Sequence, residues 1–264
     1  MKKNYLKIFL LIILILMIIG IAYLVYGYVR KANEVIQNPI VTMEIENYGT
    51  VKMELYPEYA PNTVANFVKL VQNGYYNGLT FHRVEKDFMI QGGDKKGDGT
   101  GKVELKDLYP EISDSDNKEY NIPGEFIANS FSKNKIRFEK GVLAMARADY
   151  SQLSSSLTEE GYNSAGSQFF IMTADMSNMN GYYAAFGKVI EGMDIVEKIS
   201  ELETKVETAE DGTEKKTSTP VETPVISSMT VDTFGVDYGN PTTNNPFDYT
   251  SWIMSNYGSN LNLK

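Results

Sequence analysis

The run FHRVEKDFMIQGGD, residues 81–94, holds the residues best suited to chemistry. Because side chains alternate between the two faces of a strand, Arg83 is expected to share a face with Phe81 and to lie opposite His82. If the apolar residues that follow return alongside, the arginine borders an apolar concavity, and Gln91 offers an amide for hydrogen bonding. This set supplies charge and hydrogen bonds rather than a nucleophile. It therefore favours electrostatic stabilisation of a bound molecule over hydrolysis.

Other chemistries have weaker support in the sequence. The chain contains a single histidine, His82, so a Ser-His-Asp triad would need a residue that strand alternation turns away from Arg83; we interpret it as structural. The stretch 94–105 is similar to a calcium loop but has Lys96 and Leu105 where ligands are needed. Cysteine is absent, which removes thiolate nucleophiles, disulfides and thiolate zinc sites. The sequence therefore predicts no metal and no cofactor.

The charge of the chain argues against nucleic acid as a partner. Residues 1–31 contain five basic residues and no acidic ones, so the remainder carries 20 basic against 34 acidic residues, a net charge of −14. Such a surface repels a polyanion, and the sequence has no basic stripe with interleaved aromatic residues to reverse this locally.

The N-terminal segment is one long apolar run. Ile8–Val29 carries no charge and spans about 30 Å as a helix, the thickness of the hydrocarbon core of a bilayer. Tyrosines stand where a signal peptide would be cleaved, and the slight excess of lysine before the run favours an N-terminus inside the cell. We predict an uncleaved signal anchor that crosses the cell membrane once, with the following residues outside the cytoplasm.

Hydrophobic periodicity predicts a mainly β domain after this segment. Apolar residues alternate over 41–45 and 51–55 around an Asn-Tyr-Gly turn, which indicates a β-hairpin. The period changes to that of an amphipathic helix from Pro61, with Gly74 at its C-terminal cap, and a second helix is predicted from Gly192. Further strands are predicted over 79–84, 88–91, 142–146, 168–173, 184–189 and 225–233. Turns rather than helices separate most of them, which favours an antiparallel sheet or barrel.

Six sequence blocks, in order, resemble the cyclophilins, a family of peptidyl-prolyl cis/trans isomerases. The blocks are APNTVANF at 60–67, FHRVEKDFMIQGGD at 81–94, GDGTG at 97–101, GVLAMARA at 141–148, SAGSQFFI at 164–171 and FGKVIEGMDIV at 186–196. The most specific are FHRV, which contains Arg83, and SQFF, which contains Gln168. The resemblance implies a closed eight-stranded antiparallel β-barrel with two capping α-helices and a proline pocket on its outer surface.

The resemblance also implies roles for individual residues. Arg83 would be the catalytic arginine. The substrate-binding residues would be Phe88, Met89, Phe170 and Met179 around the prolyl ring, Gln91 at a substrate carbonyl, Gly99, Ala146, Arg147, Ala148 and Gln168 along the peptide, and Tyr183 at the pocket rim. Arg147 would act mainly through its backbone. The implied partners are proline-containing peptides or protein clients.

Isomerisation of an X–Pro bond matches this residue set. Rotation must break amide resonance against a barrier of about 18–20 kcal/mol, and no covalent bond is made or broken. In the twisted transition state the prolyl nitrogen gains a lone pair, which a guanidinium can hydrogen-bond. The competing hypothesis is a non-catalytic chaperone or scaffold module that grips proline-containing segments without isomerising them.

The chain is expected to divide into four parts. They are a signal anchor or transmembrane segment at 1–31, a stalk at 32–38, a cyclophilin-like domain at 39–235 and a polar, loosely ordered tail at 236–264. Insertions are predicted at about 105–122, 150–162 and 203–219. Both ends of the second insertion border the implied peptide groove, so we expect it to influence which substrates enter. We expect the third insertion to lie away from the groove. An outward-facing isomerase would assist the folding of exported proteins.

Overall fold

The computed structural model describes three stretches of the chain, residues 2–32, 37–208 and 213–257. Parts of the predicted stalk, third insertion and tail lie outside the described residues, namely 33–36, 209–212 and 258–264. The chain divides into two compact units, and the second begins at Asn38.

The first unit contains one helix, α1 (Lys2–Ala32). Its stretch Lys7–Gly27 has a mean hydropathy of 3.3, and the large apolar side chains from Ile8 to Tyr26 are exposed rather than packed in a core. As a helix these 21 residues span about 32 Å, close to the thickness of the hydrocarbon core of a bilayer. The helix is therefore long and apolar enough to cross a membrane or to serve as a signal sequence.

The second unit is built on an eight-stranded antiparallel sheet. The strands of this unit are β1 (Ile40–Ile45), β2 (Gly49–Leu55), β3 (Thr80–Glu85), β4 (Met89–Asp94), β5 (Val142–Met145), β6 (Phe169–Met172), β7 (Ala185–Glu191), β8 (Thr204–Thr208), β9 (Glu214–Pro220) and β10 (Ile226–Asp232). The sheet order is β10-β1-β2-β7-β5-β6-β4-β3, while β8 and β9 pair as a separate hairpin. The eight strands of the sheet confirm the prediction from periodicity.

The sheet curls into an open half-barrel rather than a closed barrel. Its edge strands are β3 and β10, and an isolated bridge, Thr80–Val225, joins them in place of a continuous ladder. At this seam the Pro224 carbonyl accepts a hydrogen bond from the Phe81 N–H at 3.0 Å. Because proline has no N–H, Pro224 cannot donate a hydrogen bond in return. The prediction of a closed barrel is therefore wrong.

Two amphipathic helices pack against the sheet, as the periodicity predicts. The helices of this unit are α2 (Pro61–Gln72), α3 (Leu105–Leu108), α4 (Thr158–Tyr162), α5 (Met193–Ser200) and α6 (Tyr249–Tyr257). One face of α2 enters the core, where the Phe67 ring meets Phe169 and Phe186 with centroids 5.6 and 5.0 Å apart. α5 buries Val196 and Ile199 in the same core. Burial of these rings contributes to the stability of the domain.

The N-terminus of α2 is capped by a residue from a distant segment. Ala60, at the cap position, has no side chain that can accept a hydrogen bond. Instead the buried Glu125 carboxylate accepts from the backbone N–H groups of Asn62 at 3.0 Å and Thr63 at 2.7 Å, and from the Thr63 hydroxyl at 2.7 Å. An anion is favoured here because the first N–H groups of a helix have no partner within it.

The hairpin of β8 and β9 and the predicted tail both contact other parts of the domain. β9 lies beside β3, although the sequence shows no apolar period in this insertion. From the tail, Asn244 pairs with Asn121, and the Phe247 ring lies 5.0 Å from Tyr150 of the second insertion. The hairpin thus packs beside β3, and the tail packs against the 150–162 connection.

Candidate active site

A β-bulge in β3 determines which residues face the outer surface. The pairing of β3 with β4 passes from Phe81 to Arg83 and skips His82. Phe81 and Val84 are buried in the core, whereas His82 and Arg83 both line a cleft on the outside. The expectation that Phe81 and Arg83 share a face, with His82 opposite, is wrong because the extra residue of a bulge breaks the alternation.

The cleft beside Arg83 has a volume of about 320 Å³ and an apolar floor. The predicted prolyl-ring residues Phe88, Met89, Phe170 and Met179 line it, together with Tyr183. The Phe170 ring meets Tyr183 edge to face with centroids 5.7 Å apart, and Phe138 stacks on Phe170 from behind at 6.2 Å. These packed rings hold the floor rigid, and the volume is at the small end of the range for ligand sites.

A chain of hydrogen bonds runs along one side of the cleft. Arg83 Nη1 donates to Gln91 Oε1 at 3.2 Å, and Gln91 Nε2 donates to Gln168 Oε1 at 3.0 Å. Gln168 Nε2 in turn donates to the Gly99 carbonyl at 3.0 Å. Each amide uses both its oxygen and its nitrogen, so the orientation of both amides is determined.

A second cavity, of about 180 Å³, adjoins the first. The two share Gln91, Gly99, Ala146 and Arg147, and the second adds Ala148 and Gln168. All twelve residues predicted for the site therefore line one of two connected depressions. Their individual roles stay predictions.

The loop that carries Gly99 is held from beneath by Asp94. The buried carboxylate accepts backbone N–H groups from Lys96 at 3.0 Å, Asp98 at 3.1 Å and Gly99 at 2.6 Å. Gly99 has a φ of +87°, a conformation that glycine adopts without strain. The loop can thus present its backbone at the boundary of the two cavities.

The side chain of Arg147 is bound within the protein. Its guanidinium lies 4.6 Å from the centroid of the Tyr183 ring and 4.9 Å from that of Tyr162, and it donates to the carbonyls of Tyr182 and Ala148 at 3.0 Å. These contacts hold the side chain against the rings and stiffen the wall between the cavities.

The cleft also includes residues that the sequence did not indicate, namely His82, Asp98, Ser218 and Thr219. The bulge conceals His82 from any analysis based on strand alternation. Ser218 and Thr219 belong to β9, so the expectation that the 203–219 insertion lies away from the groove is wrong. No local pattern could have indicated them, because only the packing of β9 beside β3 brings them to the cleft.

His82 is expected to make stability depend on pH. Burial lowers the pKa of His82, Asp94 opposes this shift, and Arg83 adds to it. The unfolded chain therefore binds a proton at a higher pH than the folded chain does. The contribution of His82 to the free energy of unfolding is fully present above the ordinary histidine pKa of about 6.5. This contribution declines as the pH falls from that value to the pKa of the folded state.

The measurement is urea unfolding of the parent and of His82→Gln at pH 7.5 and pH 5.5. His82 is the single histidine, so the parent should lose more free energy of unfolding between these pH values than the variant loses. An equal loss in both proteins would show that carboxylates alone cause the pH dependence.

The site combines a guanidinium, an apolar floor and a row of amide and backbone groups. Within the stretches that the structure describes, no cluster of His, Asp or Glu could hold a metal ion. Such a cleft can accommodate an apolar group and present positive charge and hydrogen-bonding groups to the molecule that carries it. The arrangement is thus a candidate active site that can act through charge and hydrogen bonds.

Residues 40–231 match the family model described as cyclophilin type peptidyl-prolyl cis-trans isomerase/CLD. The chain therefore belongs to the cyclophilin family and is a peptidyl-prolyl cis/trans isomerase. It is 36% identical over 156 residues to peptidyl-prolyl cis-trans isomerase B of Bacillus subtilis, an alignment covering 59% of this chain and 87% of that one. It is 34% identical over 168 residues to peptidyl-prolyl cis-trans isomerase-like 1 of Mus musculus, covering 64% and 83%.

Solved structures with a similar fold include a cyclophilin-type isomerase of Cryptosporidium parvum. It has a TM-score of 0.56 and 25% sequence identity, and the match covers 74% of this chain and 98% of that one. A second crystal structure of that protein, in the presence of the dipeptide Ala-Pro, has a TM-score of 0.55 and 26% identity, covering 73% and 98%.

Proposed function

We propose that Arg83 is the catalytic residue of this isomerase and that the cleft beside it receives the prolyl ring of an X–Pro bond. The observation that carries the proposal is the position of Arg83. Its guanidinium stands at the edge of the apolar floor formed by Phe88, Met89 and Phe170, with Gln91 bound to one of its ends. The Ala-Pro dipeptide used with the Cryptosporidium relative belongs to the same substrate class.

The mechanism follows from the change in the prolyl nitrogen during rotation. In the planar ground state its lone pair is delocalised and accepts a hydrogen bond poorly, whereas the twisted amide has a localised lone pair. An Arg83 N–H directed at this nitrogen therefore stabilises the transition state more than the ground state. Uncatalysed isomerisation takes about 10–100 s, whereas enzymes typically turn over in milliseconds to tenths of a second. This acceleration requires the activation barrier to fall by about 3–7 kcal/mol.

The remaining residues bind the peptide in this proposal. Gln91 donates the second hydrogen of its Nε2 to a substrate carbonyl, and its orientation is determined by its bond to Gln168. The edge formed by Ala146, Arg147 and Ala148 borders the second cavity, where the residues before the proline extend. Tyr183 closes the rim next to Phe170.

Exchange NMR on a short Ala-Pro peptide tests the catalytic role. We expect the full chain in detergent micelles to accelerate cis/trans exchange at the Ala-Pro bond well above the uncatalysed rate. Chemical-shift changes in the peptide without faster exchange would instead support the non-catalytic module that binds proline-containing segments.

For location, we propose that α1 anchors the protein in the cell membrane with its N-terminus inside and the isomerase domain outside the cytoplasm. The support is the uncharged run through Ile8–Val29 and the lysines before it. A domain in this position would assist the folding of exported proteins, whose X–Pro bonds isomerise slowly on their own.

Protease added to intact cells tests the orientation. The domain should be digested without lysis while a cytoplasmic control protein survives, and the N-terminus should be protected. Protection of the domain until the cells are lysed would place it in the cytoplasm.

A further inference from the structure

Arg83 is bound at its second end by Glu85, a residue outside the predicted site. Its Nη2 donates to Glu85 Oε1 at 2.6 Å, and the Ser218 hydroxyl donates to the same oxygen at 2.8 Å. Glu85 stands two positions after Arg83, beyond the bulge, so both side chains lie on the same face of β3. Ser218 lies 133 residues further along the chain, on β9.

The guanidinium is therefore held between two acceptors. Gln91 accepts from Nη1 and Glu85 accepts from Nη2, which uses two of the five N–H donors and leaves the others for a substrate. The side chain of Arg83 is 42% exposed, and that of Glu85 is 34% exposed. Without its carboxylate partner, a long and half-exposed arginine would sample several rotamers.

We propose that Glu85, held by Ser218, is a positioning residue for Arg83, and that the hairpin of β8 and β9 is thereby an accessory part of the active site. The inference rests on the catalytic role proposed for Arg83. Glu85 keeps the plane of the guanidinium beside the apolar floor, and Ser218 keeps the Glu85 carboxylate turned towards Arg83. The third insertion thus influences the rate of isomerisation as well as the shape of the cleft.

The contribution of this arrangement to folding is small, because ion pairs at half-exposed positions contribute little to stability. Its contribution to the rate is larger. If Arg83 without Glu85 occupies the reactive rotamer for about a tenth of the time, the rate falls about tenfold. Loss of positioning lowers kcat, whereas KM changes little because Glu85 is not part of the lining of the cleft.

The test compares kcat and KM of full-length variants in detergent micelles on an Ala-Pro peptide. Glu85→Ala should lower kcat about tenfold and change KM less than about twofold. Glu85→Gln keeps an oxygen acceptor and should retain part of the activity. Glu207→Ala removes an exposed carboxylate from β8 of the same hairpin and should behave as the parent does.

A matched serine series tests the part played by the hairpin. Ser218→Ala should lower kcat about threefold, and Ser218→Thr, which keeps the hydroxyl, should restore it. Ser227→Ala is the control, since the exposed Ser227 hydroxyl donates to the Glu44 carbonyl away from the cleft. In NMR spectra, the side-chain N–H signals of Arg83 should broaden or shift in Glu85→Ala and Ser218→Ala but not in the two controls.

The outcomes separate this inference from the proposed function. If Arg83→Ala is inactive while Glu85→Ala has the kcat of the parent or a higher one, Glu85 is not a positioning residue and only this inference fails. An equal loss in Glu85→Ala and Glu207→Ala would also overturn it. If Arg83→Ala is as active as the parent, the proposed function itself fails.

Discussion

Replacement of Arg83 by alanine is expected to lower kcat/KM for an Ala-Pro peptide by about 100- to 1,000-fold. One charged hydrogen bond that forms in the transition state contributes about 3–4 kcal/mol to catalysis, which corresponds to that ratio. Among the described residues that line the cleft, the other arginine is Arg147. Its guanidinium packs on the face of the Tyr183 ring, so Arg83 is the arginine that can donate to the substrate. The measurement is exchange NMR of the peptide with each protein.

Arg83→Lys separates charge from geometry. A lysine keeps the positive charge but has one nitrogen, so it cannot bind Gln91 and Glu85 and also reach the prolyl nitrogen. We expect it to lose most of the activity that Arg83→Ala loses. The free energy of unfolding should change little in either variant, because Arg83 is half-exposed and its ion pair lies at the surface.

A residual rate in Arg83→Ala above about a tenth of the parent rate would contradict the catalytic role, since it corresponds to a loss below about 1.4 kcal/mol. The peptide should still bind to the variant with similar affinity, because the apolar floor around Phe170 is unchanged. Loss of binding and of rate together would show that Arg83 contributes to ground-state affinity instead.

Glu125→Ala is expected to lower the free energy of unfolding by about 3 kcal/mol. The substitution leaves the N–H groups of Asn62 and Thr63 and the Thr63 hydroxyl without their acceptor, and a buried donor without a partner costs about 1–3 kcal/mol. Water entering the vacated space offsets part of this cost. For a domain of this size, the melting temperature should fall by about 6–12 °C.

Thermal and urea unfolding followed by circular dichroism measure this effect. Glu111→Ala removes an exposed carboxylate and is the control, with an expected change within about 0.5 kcal/mol. Glu125→Gln, which keeps one acceptor oxygen, should lose less than Glu125→Ala. Equal stability of Glu125→Ala and the control would show that the carboxylate does not cap α2.

Much of the secondary structure is readable from the sequence because it follows from local periodicity. The alternation over 41–45 and 51–55 corresponds to β1 and β2, and the helical period from Pro61 corresponds to α2. Both patterns arise from neighbours that share one face of one element, so no knowledge of distant residues is needed. The apolar run that forms α1 is equally local.

The bulge at His82 is a feature that local periodicity does not predict. The residues around Arg83 were recognisable as a motif, yet strand alternation assigned His82 to the wrong face. A bulge depends on how β3 is paired with β4, and a single strand carries no such information. The same holds for the open edge at Thr80–Val225, which depends on how two ends of the domain meet.

The sequence by itself determined the eight strands of the sheet, the helices α1, α2 and α5, the residues of the cleft that belong to the motif, and through them the family. The tertiary structure alone decided the open half-barrel, the capping of α2 by Glu125, and the approach of Ser218 to Glu85. These last features join segments separated by tens of residues or more. Their energies depend on distances and orientations that exist only after the chain has folded, whereas periodicity is set by the order of the residues.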